Sequence, residues 1–98
     1  MTTDRELLEL AAKAAGIASD GLGGCYDYER DKAWNPLTDD GDALRLAVKL
    51  RIDVTFNEMD VFAFPPDGSD GCSELINVDD PYAATRRAIV RAAAEIGR

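Results

Sequence analysis

Histidine is missing from this chain of 98 residues, and cysteine is scarce. Histidine is the usual base beside a serine or cysteine nucleophile and the commonest zinc ligand, so its absence removes Ser-His and Cys-His catalysis. The two cysteines, Cys25 and Cys72, would need carboxylates to complete a four-ligand zinc site, which is an uncommon ligand set. They are also too few for a disulfide framework, and we expect reduced, buried structural thiols.

Long apolar runs are missing too. No segment approaches the roughly 18 consecutive apolar residues that a membrane-spanning helix needs. The first residues, Met1 to Glu6, carry charges of both signs and lead into a helical pattern. A signal peptide would instead begin with basic residues and a continuous apolar run. These features predict a cytoplasmic protein.

Basic residues are few, since eleven Lys and Arg stand against nineteen Asp and Glu for a net charge of −8. Residues 35–80 hold most of the excess, with eleven acidic and three basic side chains. Direct binding of nucleic acid would therefore need a concentrated basic patch, because an acidic chain repels phosphates. The candidate is a set of arginines in residues 81–98, and the dipole of a helix explains them more simply. They are Arg86, Arg87, Arg91 and Arg98.

The residues that are present predict one globular domain over residues 1–98. A hydrophobic fraction of 46% is too high for a disordered chain, and the length suits a single core. Thr3-Asp4-Arg5-Glu6 is a capping box, and Gly16 suits the position after a helix. Between them the apolar residues repeat at helical spacing: Leu7, Leu8, Ala11, Ala14 and Ala15.

The centre of the chain predicts a loop followed by a second helix. Residues 17–33 lack periodicity, and we expect a mobile loop in which Cys25, Tyr26 and Tyr28 form a short strand or act as anchors. Pro36 holds the residue before it away from helical dihedrals. The helix then begins with Thr38 as N-cap and with Asp39 and Asp40 in the first turn. A broad apolar face runs from Ala43 to Leu50 and is expected to be buried. The side chains expected in solvent are Asp42, Arg45 and Lys49.

The second half of the chain predicts three strands and a last helix. Residues 52–56 alternate at period two and residues 61–64 resume, which indicates an antiparallel hairpin, and residues 73–78 can return as a third strand. Asp80 before Pro81 begins a helix, along which Arg91 and Glu95 are spaced to pair. The fold class is therefore α+β, a small antiparallel three-stranded sheet packed with three helices in the order α-α-β-β-β-α.

Three pieces of the chain resemble the phage ABA-sandwich family, short proteins of tailed bacteriophages and prophages. They are the helix end Lys13-Ala14-Ala15-Gly16-Ile17, the centre Asn35-Pro36-Leu37-Thr38-Asp39 with the helix to Leu50, and the tail Ala88-Ile89-Val90-Arg91-Ala92-Ala93. Leu37 and Val90 stand where the family often has serine and cysteine. The resemblance implies an α/β/α-type sandwich and a phage or prophage origin, and it carries no catalytic residues.

Carboxylate clusters are the remaining chemical candidates. Asp39, Asp40 and Asp42 could gather a hard cation, but no window has the alternating ligands, glycine and distal glutamate of a calcium loop. The pairs Asp67 with Asp70 and Asp79 with Asp80 are explained by a solvated turn and a helix start. We therefore expect no metal and no cofactor.

Trp34 and the acids beside it form the candidate binding site. Trp34 either anchors the loop on the core or serves as an aromatic hot spot for a partner, and Asp39, Asp40 and Asp42 could steer a basic partner. The residues favour a non-enzymatic phage or prophage accessory protein that binds a host or phage protein. Two alternatives stay open: an acidic DNA mimic that occupies a nucleic-acid-binding protein, and a metal-assisted or carboxylate-based enzyme. The choice between monomer and homodimer is open as well.

Overall fold

The computed structural model describes residues 3–20, 24–68, 70–76 and 80–98. Their three helices and two three-stranded antiparallel sheets confirm the α+β class, and the predicted order holds once three short strands are added after the first helix. The elements are α1 (Asp4–Ala15), β1 (Ala18–Ser19), β2 (Cys25–Asp27), β3 (Lys32–Ala33), α2 (Asp40–Leu50), β4 (Asp53–Phe56), β5 (Asp60–Phe64), β6 (Cys72–Leu75) and α3 (Pro81–Gly97).

The predicted ends of α1 and the start of α3 are confirmed. The Thr3 hydroxyl accepts a hydrogen bond from the Glu6 amide at 3.2 Å, which satisfies one of the unpaired amides of the first turn. Gly16 ends α1 with φ 73°, a left-handed conformation that is cheap only for glycine. At α3, Asp80 accepts from the amide of Ala83, with Pro81 at the first helical position.

Helix α2 differs from the prediction in three ways. Asp39, not Thr38, is the N-cap, because its carboxylate accepts from the Asp42 amide at 2.8 Å. The Thr38 hydroxyl instead donates to the carbonyl of Asn35 in the preceding turn. Asp42 is buried, although its spacing predicts a solvent position. The predicted broad buried face is also wrong for Leu44 and Val48, which are exposed.

The loop expected over residues 17–33, with at most one short strand, contains three short strands in the part that the structure describes. Strands β1, β2 and β3 form a small sheet in that order, and Cys25–Asp27 includes two of the residues proposed for a short strand. The buried carboxylate of Asp27 accepts from the amides of Glu29 and Arg30 and so closes the turn between β2 and β3. The turn also holds Asp31 at φ 54°.

The second sheet has the order β4-β5-β6 and contains the predicted hairpin. Val54 is opposite Ala63 and Phe56 is opposite Val61, and the amide of Asn57 donates to the Asp60 carbonyl across the turn. The third strand is confirmed for residues 73–75, but it begins one residue earlier, as Cys72–Leu75, and Ile76 lies beyond its end. The end of its predicted range, at positions 77 and 78, lies outside the described residues.

Helix α3 is the centre of the core, since it packs against α1, α2, β5 and β6. Its arginines form ion pairs with carboxylates from four parts of the chain, so they are not a free basic patch: Arg86 with Asp40, Arg87 with Asp4, Arg91 with Glu74, and Arg98 with Glu95. The predicted pair of Arg91 with Glu95 is therefore wrong. Both residues have other partners.

Candidate protein-interaction site

The four residues of the predicted binding site divide into two exposed and two buried side chains. Asp39 and Asp40 are exposed, whereas Trp34 is 6% exposed and Asp42 is 2% exposed. A hot spot must be reachable by the partner. Only Asp39 and Asp40 meet that condition, and a binding role for them stays a prediction.

Trp34 anchors the β1–β3 sheet to the core. Its side chain belongs to the same buried cluster as Leu7 and Leu46, and its main-chain amide donates to the Cys25 carbonyl at 3.0 Å. The residue therefore continues the pairing of β2 with β3 and carries the small sheet onto the helices. Of the two roles considered for Trp34, the anchoring of this segment on the core is the one that its buried position shows.

Asp42 is a buried carboxylate at the centre of a polar cluster whose two arginines, Arg30 and Arg45, are exposed. Its carboxylate accepts from the Asn35 amide at 3.0 Å and from the Arg45 guanidinium at 2.7 Å, and Arg30 is 3.6 Å away. Burial alone would raise the pKa of Asp42. The hydrogen bonds from Asn35 and Arg45 and the positive charges of Arg45 and Lys32 outweigh it, so the pKa of this carboxyl lies below its usual range.

The other two aspartates also support the fold. Asp39 caps α2, and Asp40 receives a 2.6 Å bond from Arg86, whose Nε donates to the carbonyl of Leu37 at 2.8 Å. Arg86 thus ties α3 to the start of α2. Within the described ranges no three His, Cys, Asp or Glu side chains come together in a way that could hold a metal ion.

Both cysteines are free thiols. Burial raises the pKa of Cys25, and the bond from Ser19 offsets this only in part. Burial raises the pKa of Cys72 as well, in spite of the positive charge of Arg91. A raised pKa keeps a thiol protonated at neutral pH, and the protonated form is a poor nucleophile.

A mostly apolar concave surface lies between α2, β4 and the start of α3, and we call it the α2–β4–α3 groove. Its volume is about 640 Å³. Three large side chains in its lining are mostly in solvent: Leu44 is 64% exposed, Phe56 61% and Tyr82 68%. Val54 and Ile89 line its deeper part. Such convergence of exposed apolar side chains is typical of an interaction surface.

The frame of the groove is acidic. Asp40 is part of the lining, Asp53 and Glu58 flank the β4 residues of the groove, and Asp80 precedes Pro81 at the α3 end. Arg86 also lines the groove, is bonded to Asp40 and lies 4.0 Å from Asp80. Asp53 and Glu58 are therefore the acids of this frame that form no ion pair in the described part of the chain. An apolar floor inside an acidic frame suits a ligand that is apolar on one side and basic at its edges.

A second cleft, of about 430 Å³, lies beside the β1–β3 sheet. Its lining mixes Tyr26, Tyr28 and the edge of Trp34 with the cations Arg30, Arg45 and Lys49. Arg30 and Arg45 are both within ion-pair distance of Asp42, so much of that positive charge is already neutralised. This cleft is the weaker candidate.

Sequence patterns place the groove residues inside the core. Leu44 fits the apolar period of α2, Phe56 follows the alternation of β4, and Tyr82 fits the apolar period of α3. The sequence does contain one sign of the groove, which is the width of the apolar face of α2. This face is wider than the single apolar stripe by which a surface helix packs on a core. A face that wide indicates a second apolar contact surface.

The chain matches no known family, no curated protein and no solved structure. None of the helices in the described part of the chain has the length and apolar character to cross a membrane.

Proposed function

We propose that this chain is a non-enzymatic accessory protein of a phage or prophage that works in the cytoplasm of its bacterial host by binding another protein. The observation that carries the binding role is the α2–β4–α3 groove, where Leu44, Phe56 and Tyr82 present their side chains to solvent around one cavity. Keeping such side chains in water costs about 25 cal/mol for each Å² of apolar surface. A partner that covers the groove recovers this free energy.

The chemistry of the polar residues supports binding over catalysis. Asp39, Asp40 and Asp42 are engaged in a cap, a bond to Arg86 and a polar cluster, respectively. The thiols of Cys25 and Cys72 have raised pKa values. The three carboxylates thus stabilise the fold, whereas the side chains of Leu44, Phe56 and Tyr82 lie mostly in solvent.

The test is affinity capture with two matched glutamate variants. Leu44 lies in the groove and Leu75 lies on β6, outside its lining, and both are exposed leucines. Leu44→Glu and Leu75→Glu therefore make the same chemical change at a groove and a non-groove position. Tagged wild-type protein and both variants are incubated with host lysate, with and without phage infection, at two salt concentrations, and the retained proteins are identified by mass spectrometry.

We expect a partner that the wild type and Leu75→Glu retain alike. With that partner purified, Leu44→Glu should weaken binding by roughly tenfold or more, as substitution of an interface anchor does. Equal retention by all three proteins would show that the groove is not the docking surface. Retention of no partner from either lysate would contradict the binding role itself.

A further inference from the structure

The free edge of β4 lies directly beside the groove. In an antiparallel pair, hydrogen-bonded and non-hydrogen-bonded residues alternate. The Asn57 amide bonds to the Asp60 carbonyl, so that pair is hydrogen-bonded and the pairs Phe56 with Val61 and Val54 with Ala63 are not. The N–H and C=O groups of Val54 and Phe56 therefore point away from β5, toward the outer edge of the sheet.

The two edges of this sheet are not alike. On β6, the Arg91 guanidinium donates to the Ser73 carbonyl at 2.9 Å and also binds Glu74, so the helix side chain covers that edge. On β4, the described part of the chain provides no comparable partner for the outward groups of Val54 and Phe56. Proteins usually protect an edge strand with a lysine, a proline or a bulge. Asp53–Phe56 contains no lysine or proline.

The open edge and the apolar groove share the same two residues. Val54 and Phe56 offer their main chains at the edge and their side chains in the lining of the groove, opposite Leu44 and Ala47 of α2. A strand added beside β4 would place every second side chain on that same face. Its main chain would form hydrogen bonds with the outward N–H and C=O groups of β4, and every second side chain would fill the groove.

The charged residues near β4 indicate which side chains an added strand would carry. On an added strand, the side chains that alternate with the apolar ones point to the opposite face of the sheet, where Asp53 lies, and Glu58 follows in the turn after β4. Both acids are exposed and form no ion pair in the described part of the chain, so they favour lysine or arginine at those positions. A second copy of this chain has a net charge of −8 and would bring like charges together. The partner segment is therefore basic rather than another copy.

We propose that the α2–β4–α3 groove binds an extended basic segment of a partner protein, which adds to β4 as a fourth strand with alternating apolar side chains. This inference rests on the proposed function and specifies the form and charge of what the groove binds.

The first experiment selects ligands from a displayed library of random dodecapeptides on the purified wild-type protein, with counter-selection against Leu44→Glu. We expect the enriched sequences to alternate apolar residues with others and to be rich in lysine and arginine. Apolar residues spaced three and four apart would indicate a helical ligand and overturn the inference. Acidic or uncharged sequences would overturn the charge argument.

The second experiment tests the main-chain hydrogen bonds from both sides, using the most enriched peptide. N-methylation at every second amide should weaken binding roughly tenfold for each bond removed, while N-methylation at the amides between them should have little effect. On the protein, Val54→Pro removes an outward N–H of β4, and Leu75→Pro removes one of β6 by the same register argument. We expect only Val54→Pro to weaken binding, with unfolding curves to confirm that both variants fold.

The outcomes separate the inference from the proposed function. Peptides that lose affinity with Leu44→Glu but tolerate every N-methyl group would keep the groove as a docking site and overturn strand addition. Enrichment of no peptide that depends on Leu44 would count against both. Sedimentation that shows a dimer of the wild type alone, lost in Val54→Pro, would make a second copy the occupant and overturn the basic partner.

Discussion

At the scale of single residues, the fold depends most on buried polar groups that connect separate parts of the chain. Asp42 joins the turn at Asn35, the side chain of Arg45 and, through Arg30, the β2–β3 turn. Arg86 joins α3 to Leu37 and Asp40. A buried charge is tolerated only when it is paired and hydrogen-bonded, and Asp42 is the buried member of its cluster, so loss of its partners would leave this carboxylate uncompensated.

The first residue-scale prediction concerns Asp42→Asn. The loss of the charge should lower the free energy of unfolding at pH 7 by about 1.5–3 kcal/mol, the range for a hydrogen bond to a charged group. Urea unfolding of the variant measures this. Asp53→Asn is the control, because Asp53 is exposed, and it should change the stability by less than about 0.5 kcal/mol. Equal effects of the two variants would contradict the role of the cluster.

The second prediction concerns how the stabilities of the wild type and Asp42→Asn depend on pH. The pKa of Asp42 is lowered in the folded state, so its ionised form stabilises the fold above the unfolded value of about 3.9. This contribution is lost as the pH falls through 3.9 toward the folded value. The difference in stability between wild type and Asp42→Asn should therefore narrow below about pH 4. A difference that stays constant down to pH 2.5 would contradict it.

At the scale of elements, the crossing of α1 and α3 is set by small residues. Ala11, Ala12, Ala88, Ala92 and Ala93 are fully buried, which lets the two helices approach closely. The two helices are in close contact at Gly97, where an added Cβ would lie 2.0 Å from the Leu10 carbonyl oxygen and 3.3 Å from the Ala14 nitrogen. Main-chain atoms cannot move aside as a flexible side chain can.

Gly97→Ala should therefore destabilise the protein by about 1–3 kcal/mol, the usual cost of overpacking. The matched control is Gly41→Ala in α2, where the new Cβ would meet the Arg45 guanidinium at 3.1 Å, the end of a flexible side chain. That variant should stay within about 1 kcal/mol of the wild type, since alanine also favours a helix. Thermal unfolding of both proteins measures the difference. Similar melting temperatures would refute the close approach at Gly97.

At the scale of the whole molecule, the core is unevenly distributed. Helix α3 buries a continuous set of residues from Ala88 to Ala94 apart from Arg91, which is half-buried, whereas β1 and β3 are exposed two-residue strands. Local stability follows buried apolar contact, so different parts of one domain can open with different free energies. Trp34 connects the small sheet to the rest.

Native-state hydrogen exchange should show this difference. The amides of Ile89, Val90 and Ala93 should exchange only with global unfolding, while those in the pairing of β2 with β3 should exchange through a local opening of lower free energy. Exchange followed by NMR at several low urea concentrations distinguishes the two. Equal free energies of opening in both regions would show that the small sheet is a full part of the cooperative core.

Local patterns were sufficient for the helices and the hairpin. Thr3, Gly16 and Asp80 mark helix ends because each acts on amides or dihedrals within four residues of itself. The alternation in residues 52–56 and the β-branched and aromatic run in residues 61–64 indicate the hairpin, since both patterns are typical of strands and the two runs are close in sequence. The resemblance to the phage family stays a prediction.

The sequence by itself determined the α+β class, the three helices and the β4–β6 sheet, because these depend on neighbours within one turn or one hairpin. Only the tertiary structure decided that Asp42 is buried, that β1, β2 and β3 form a second sheet, and that Leu44, Phe56 and Tyr82 surround one groove. Each of these depends on which residues meet after folding. Periodicity shows that a face is apolar, but it does not show whether another element of the chain covers it.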